Sequence, residues 1–249
     1  MPAGAVRVAA LGDTHMSPEV RGRLRAALAG VTADADMLLL AGDLTNAGRV
    51  VEAELVCEEL AGIDLPIVAV LGNHDHDSGE HVRIAGMLRR IGVHVLDGST
   101  VTLDLGDVRV GVAGIKGTGG GFDATATPRT VTERSSGIVE STGSVHRLLP
   151  ALRGLDTDVR IALTHYAPVA DTLVGERPEI WQNLGTHLLG AVIDAGGAHL
   201  AVHGHAHRGT EHGRTAAGCP VRNVAQPVIR RPYALYTLSR AGALLPAGR

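Results

Sequence analysis

Five short segments hold most of the side chains able to do chemistry: Asp13-Thr14-His15, Gly42-Asp43, Gly72-Asn73-His74-Asp75, His165, and Gly204-His205-Ala206-His207. In Asp13-x-His15 and His205-x-His207 the spacing of two sets both side chains on one side of an extended backbone. With Asp43, Asn73 and His165 they make seven candidate ligands: two carboxylates, four imidazoles and one carboxamide. Imidazole suits zinc, iron and similar ions, carboxylate suits magnesium and manganese, and no thiolate is offered. Seven groups are too many for one open site. They fit two adjacent metals that share a bridging carboxylate. Taken singly, an Asp or His at a strand end is usually a cap or turn residue, so it is the cluster that points to metal.

Each segment follows an apolar run that reads as a buried strand. Val6–Leu11 runs into Gly12-Asp13, Met37–Ala41 into Gly42-Asp43, and Ile67–Leu71 into Gly72-Asn73. Between them, Ser17-Pro18-Glu19 predicts an N-cap and a helix through about Ala29. Val50–Ala61 has helical spacing, and Ser78 is placed to cap a further helix ending near Ile91. Three rounds of strand, polar loop and helix predict parallel β-α-β units with right-handed crossovers. Side chains at the carboxyl ends of such strands converge on one sheet edge.

The second half predicts a hairpin of Thr100–Leu105 and Arg109–Ala113 around Gly106-Asp107. Residues 114–137, rich in glycine, read as a long loop. Helices are expected over Val145–Leu152 and Leu184–Ala195. Strands are expected at Ile161–Thr164 and Leu200–Val202, each running into a histidine. Val221–Val224 and Tyr233–Leu238 complete a run of antiparallel-style strands. The whole reads as one domain over residues 1–249, an α/β fold with two sheets face to face and helices outside.

Composition narrows the function. The chain has 249 residues and a net charge of −3, so there is no electrostatic footprint for general nucleic-acid or membrane-surface binding. Two cysteines, Cys57 and Cys219, are too few for a disulfide scaffold or a cysteine-built zinc site. No apolar run approaches the ~20 residues of a membrane helix, and the first residues lack signal-peptide character. A cytoplasmic location is the expectation. Phe, Tyr and Trp number only 5, leaving Ala, Val, Leu and Ile to build the core. His numbers 13, and Lys116 is the single lysine among 23 basic residues.

The five segments, in this order, resemble the calcineurin-like metallophosphoesterase superfamily, whose motifs run D-x-H, G-D, G-N-H-D/E, H and G-H-x-H. The resemblance spans positions 13 to 207. It implies a four-layer α/β/β/α sandwich of two mixed sheets and a two-metal site containing Mn, Fe or Zn. Asp13, His15 and His207 would hold one metal, Asn73, His165 and His205 the other, and Asp43 would bridge. With two divalent ions, Asp13, Asp43 and a bridging hydroxide, the site would keep about one positive charge, which favours a phosphate anion. The ions would supply that hydroxide for in-line attack on phosphorus. His74 would protonate the leaving group or stabilise the transition state, and Asp75 would hold its imidazole in the useful tautomer.

Two departures bear on substrate. The phosphoprotein phosphatases of this superfamily carry G-D-x-x-D-R-G and R-G-N-H-E. Here Ala47 and Leu71 stand at the two arginine positions and Asn46 at the second aspartate. The pattern is closer to the cyclic-nucleotide phosphodiesterase-like branch and predicts a small phosphorylated substrate, with diesters somewhat favoured over monoesters. Lys116, Tyr166 and His76 are possible substrate contacts. Arg129, Arg134 and Arg177 sit in candidate lid loops, Trp181 lies in the loop after His165 where it could stack on a ring or plug the loop onto the core, and His203 reads as a core or supporting histidine. The rival readings are a non-catalytic scaffold of the same fold, which the intact motif set opposes, and a nuclease, for which no basic groove is visible.

Overall fold

In the first sheet, the apolar runs of the N-terminal half lie side by side. In the computed structural model, which describes residues 4–122 and 147–246, β1 (Ala5–Leu11), β2 (Met37–Ala41) and β3 (Ile67–Val70) pair in parallel, with Val8 opposite Met37 and Leu40 opposite Ala69. The short β4 (His94–Val95) flanks β3 on one side. β11 (Ala234–Ser239) runs antiparallel to β1, and β12 (Leu244–Leu245) closes that edge.

The second sheet holds β5 (Ser99–Leu105), β6 (Val108–Ile115), β7 (Val159–Thr164), β8 (Leu200–His203), β9 (His212–Arg214) and β10 (Pro220–Asn223), in the order β5-β6-β7-β8-β10-β9. β6, β7, β8 and β10 are parallel, while β5 and β9 are antiparallel edges.

Each central strand is covered on both faces, which is why it reads as a continuous apolar run rather than an alternation. Leu38, Leu39 and Leu40 are fully buried. Val110, Val112, Ile161, Leu163 and Val202 turn toward the first sheet and share its core. The alternate residues Ala113, Ala162 and Ala201 face a second cluster formed with Leu148, Leu152, Leu189 and Ile193. These last four come from the helices over 147–153 (α5) and α7 (His187–Gly196). On the far side of the first sheet, α1 (Arg23–Ala27), α2 (Val31–Asp34), α3 (Val50–Leu60) and α4 (His81–Arg90) add Leu24, Val31, Val56 and Ile84. The result is the α/β/β/α sandwich of two mixed six-stranded sheets. Among the described residues no helix is long and apolar enough to cross a membrane.

Several local expectations change. Ser17 makes no capping hydrogen bond, and only a 3-10 turn (Pro18–Val20) follows before Gly22, at φ 84°, separates it from α1. Ser78 donates to the Gly48 carbonyl, while Glu80 takes the N-cap position of α4. The helix expected over Leu184–Ala195 is divided: α6 (Trp181–Leu184) ends at Gly185, and Thr186, accepting from Leu188 N, starts α7. Gly185 has no room for a side chain because the Ala167 carbonyl occupies that space. β10 joins β8 in parallel, and β11 leaves the second sheet to pair with β1. The expected antiparallel run therefore does not form.

Candidate metal centre

The loops after β1 and β2 run side by side. Asp13 N donates to Gly42 O at 2.9 Å, His15 N to Asp43 O at 3.0 Å and Met16 N to Leu44 O at 2.8 Å. The two sheets are laced together at the same edge, where Gly12 N donates to Val224 O and Val224 N to His203 O. Backbone groups at these strand ends are thereby satisfied. The turns are sharp enough that Asp13, His15, Asp43 and His205 have φ of 58°, 42°, 48° and 70°. Only one other non-glycine among the described residues, Arg230, has positive φ. Such left-handed conformations are costly outside glycine and concentrate at functional sites. Close approach fixes two glycines: a Cβ on Gly72 would fall on the Asp43 carboxylate, and one on Gly204 on the Asp13 carboxylate.

The predicted ligands converge as two groups, Asp13–His15–His207 and Asp43–His165–His205, with ligand atoms within 4.8 Å of one another in each. His207 Nε2 lies 2.8 Å from Asp13 Oδ1 and 3.5 Å from His15 Nε2. Asn73 Oδ1 lies 2.9 Å from His165 Nε2, which is also 3.4 Å from Asp43 Oδ1. Asp43 Oδ2 reaches toward His15 Nε2 at 3.9 Å, so Asp43 stands between the groups. His74 joins His15 and Asp43 in a third such group, its ring edge-on to His15 at 4.7 Å.

The donor chemistry fits divalent cations. His165 Nδ1 lies 2.8 Å from the Ala41 carbonyl, which can only accept, so Nδ1 carries the proton and Nε2 is left for a ligand. Burial works to lower the His165 pKa, but Asp43 beside it outweighs this and holds it up to about 9. Burial would likewise raise the Asp43 carboxyl, yet His165 and the His74 amide keep it below the usual carboxylate range. Asp13 raises the pKa of His207 through their hydrogen bond. Burial depresses His15, and together with His165 it takes His205 down to about 3, leaving a neutral imidazole. Protons held between these carboxylates and imidazoles are the ones a cation displaces.

Asp75 does not orient His74 as expected. It is fully buried and accepts from Thr45 Oγ1 at 2.6 Å, Thr45 N and Gly72 N at 2.8 Å, and Leu44 N at 3.2 Å. Burial raises its pKa, and these donors oppose that. Its carboxylate thus bolts the Asp43 loop to the Asn73 loop. His74 Nδ1 instead lies 2.8 Å from the backbone carbonyl of Asn46 and 3.5 Å from Asp77 Oδ2. Asp75→Ala leaves three buried amides and a hydroxyl unpaired, at about 3 kcal/mol, which lowers Tm by roughly 6–12 °C in a protein of this size. Calorimetry checks this. A Tm unchanged within about 2 °C, with kcat alone reduced, would return Asp75 to the tautomer-holding role.

The remaining expected contacts are dispersed around this edge. Tyr166 packs its ring against His205 at 4.3 Å and edge-on to His165 at 5.6 Å. Lys116 follows β6, and its carbonyl accepts from His165 N and Tyr166 N. His76 stacks on His81, and burial with Lys116 nearby lowers its pKa to about 4. Residues 117–122 dock against 182–187, with Gly120 N donating to Gln182 O and Gly121 N to Gly185 O. The rest of the long loop, with Arg129 and Arg134, lies outside the described residues. Trp181 joins a small apolar cluster with Leu173 and Leu184, and buried His203 bonds Thr172 Oγ1 at 2.8 Å. The Asn46 carbonyl, Thr45, and the Asn183 carbonyl 3.3 Å from His205 Nε2 act on the site unannounced. Backbone acceptors leave no mark on residue type.

No curated protein matches the chain. Among solved structures it is similar to the phosphopantetheinyl hydrolase PptH from Mycobacterium tuberculosis, with TM-score 0.67, 15% identity, and coverage of 91% of this chain and 92% of that one. It is also similar to TT1561 of Thermus thermophilus, with TM-score 0.63, 17% identity and 97% coverage of both. A putative 5'-nucleotidase from Staphylococcus aureus matches with TM-score 0.60 and 16% identity over 94% of this chain but 51% of its own. At these identities the likeness is one of fold. The sequence model of the calcineurin-like phosphoesterases matches residues 6–209, which is most of the chain. With the two sheets delivering Asp and His groups able to hold metal at a shared edge, the chain belongs to the calcineurin-like phosphoesterase family.

Proposed function

We propose that the protein is a two-metal phosphoesterase of small phosphorylated molecules, acting in the cytoplasm and favouring diesters over monoesters. The observation that carries this reading is the convergence of Asp13–His15–His207 and Asp43–His165–His205 on either side of the Asp43 carboxylate. Asp13, His15 and His207 would hold one ion, and Asn73, His165 and His205 the other, with Asp43 shared. The mixed nitrogen and oxygen set suits Mn, Fe or Zn. Two such ions supply Lewis acidity toward a phosphoryl group and toward water.

The chain's own groups do the rest. The Asn46 carbonyl fixes the Nδ1 proton of His74, so Nε2 is the ring nitrogen that can deliver a proton to the departing ester oxygen. As P–O(ester) breaks and a water oxygen bonds phosphorus, that proton leaves with the alcohol. Lys116, Tyr166 and His76 would meet the substrate's remainder. A phosphomonoester dianion needs more cationic partners than a diester monoanion, and Ala47 and Leu71 supply none. This supports the diester preference.

The test is hydrolysis of bis(p-nitrophenyl) phosphate and p-nitrophenyl phosphate by protein loaded with Mn, Fe or Zn. The expected kcat/KM is about tenfold higher for the diester, near 1.4 kcal/mol in transition-state binding. Equal or reversed values would remove the diester preference, and no hydrolysis of either with any of the three metals would remove the phosphoesterase reading.

A further inference from the structure

A cavity of about 190 Å³ is lined in part by His76 and Lys116, close in the chain to residues of the metal centre. Its walls are mostly apolar: Leu71, Ala85 of α4, Val95 of β4 and Leu96. His76 and His81 line it as a near-parallel stack, with centroids 4.1 Å apart and planes at 17°. Three charged side chains lie along it, Arg89, Asp97 and Lys116. Arg89 donates to Val95 O at 2.8 Å, and Asp97 pairs with Arg147 at 2.9 Å.

The walls are chain neighbours of the metal centre. Leu71 precedes Gly72-Asn73, His76 ends the 3-10 turn that begins at His74, and the carbonyl of lining residue Lys116 accepts from His165 N at 2.9 Å. An apolar cavity of about 150 Å³ takes up one benzene ring. This one therefore has room for a single six-membered ring and a small substituent, not for a whole nucleotide.

We propose that the cavity receives one planar, uncharged six-membered ring, aryl or pyrimidine, carried by the phosphoester bound at the metal centre. The proposal deepens the phosphoesterase reading and rests on it. It makes Ala85 and the His76–His81 stack specificity determinants.

The experiment measures calorimetric binding of methylphosphonate and phenylphosphonate to the full, zinc-loaded chain. Phenylphosphonate should bind roughly tenfold or more tightly, from the added apolar area buried. Ala85→Leu, which fills the cavity, should abolish that preference while leaving methylphosphonate affinity and zinc content unchanged. Independently of any variant, phenylphosphonate on the unaltered protein should give intermolecular NOEs from its ring protons to those of His76 or His81. Equal affinity for the two phosphonates, a preference that survives Ala85→Leu, or tight phenylphosphonate binding without those NOEs would overturn the pocket alone. Failure of both phosphonates to bind would overturn the phosphoesterase reading and the pocket with it.

Discussion

Asp43→Asn is expected to lower kcat/KM for phosphoester hydrolysis about 10³-fold, some 4 kcal/mol of transition-state stabilisation. The substitution keeps shape and still offers an oxygen to the His74 amide, which Asp43 Oδ1 accepts at 2.9 Å. It removes a carboxylate that reaches an imidazole of each ligand group, His15 at 3.9 Å on one side and His165 at 3.4 Å on the other. It also strips buried His165 of the charge that holds its pKa up. An isosteric change confined to charge should leave the circular dichroism spectrum unaltered. Steady-state kinetics on the metal-loaded variant decides the matter: a loss of less than tenfold would mean that Asp43 does not bridge.

His74→Ala should show the second largest effect, and one that depends on the leaving group. General acid help is worth about 10²–10⁴-fold when the departing oxygen is a poor leaving group. An alkyl ester should therefore lose activity by about that factor, whereas p-nitrophenolate departs without a proton and its ester should lose less than tenfold. Metal content should be unchanged, because the His15–Asp13–His207 and His165–Asp43–His205 groups do not need His74. The competing role is ligation, since His74 also groups with His15 and Asp43. Equal losses for alkyl and p-nitrophenyl esters, accompanied by loss of bound metal, would assign His74 to that role.

Much of this architecture is legible in the residues themselves. Strands covered on both faces must be apolar throughout, so Val6–Leu11, Met37–Ala41 and Ile67–Leu71 stand out, and the polar residues that end them mark the site. The order of those endings points to the family. What stayed hidden depends on contacts distant in sequence. Nothing in Tyr233–Leu238 tells which sheet it joins, because that is set by pairing Ala5 with Ser239 across the whole chain. Asp75 sits next to His74 in sequence, but its carboxylate turns the other way, toward Thr45. Positive φ at Asp13, His15, Asp43 and His205 has no signature in residue type, since glycine is what such a turn would predict. Substituting glycine there would relieve the backbone and remove the ligand. Gly72 and Gly204, in contrast, are glycine because the two carboxylates lie where their side chains would be.

The central claim is that one edge of the sandwich holds two metal ions about a shared Asp43. Elemental analysis of reconstituted, desalted protein tests it most directly. Two ions per chain are predicted for the unaltered protein and one or fewer for Asp43→Asn, and a single ion in both, or none in either, would contradict the account.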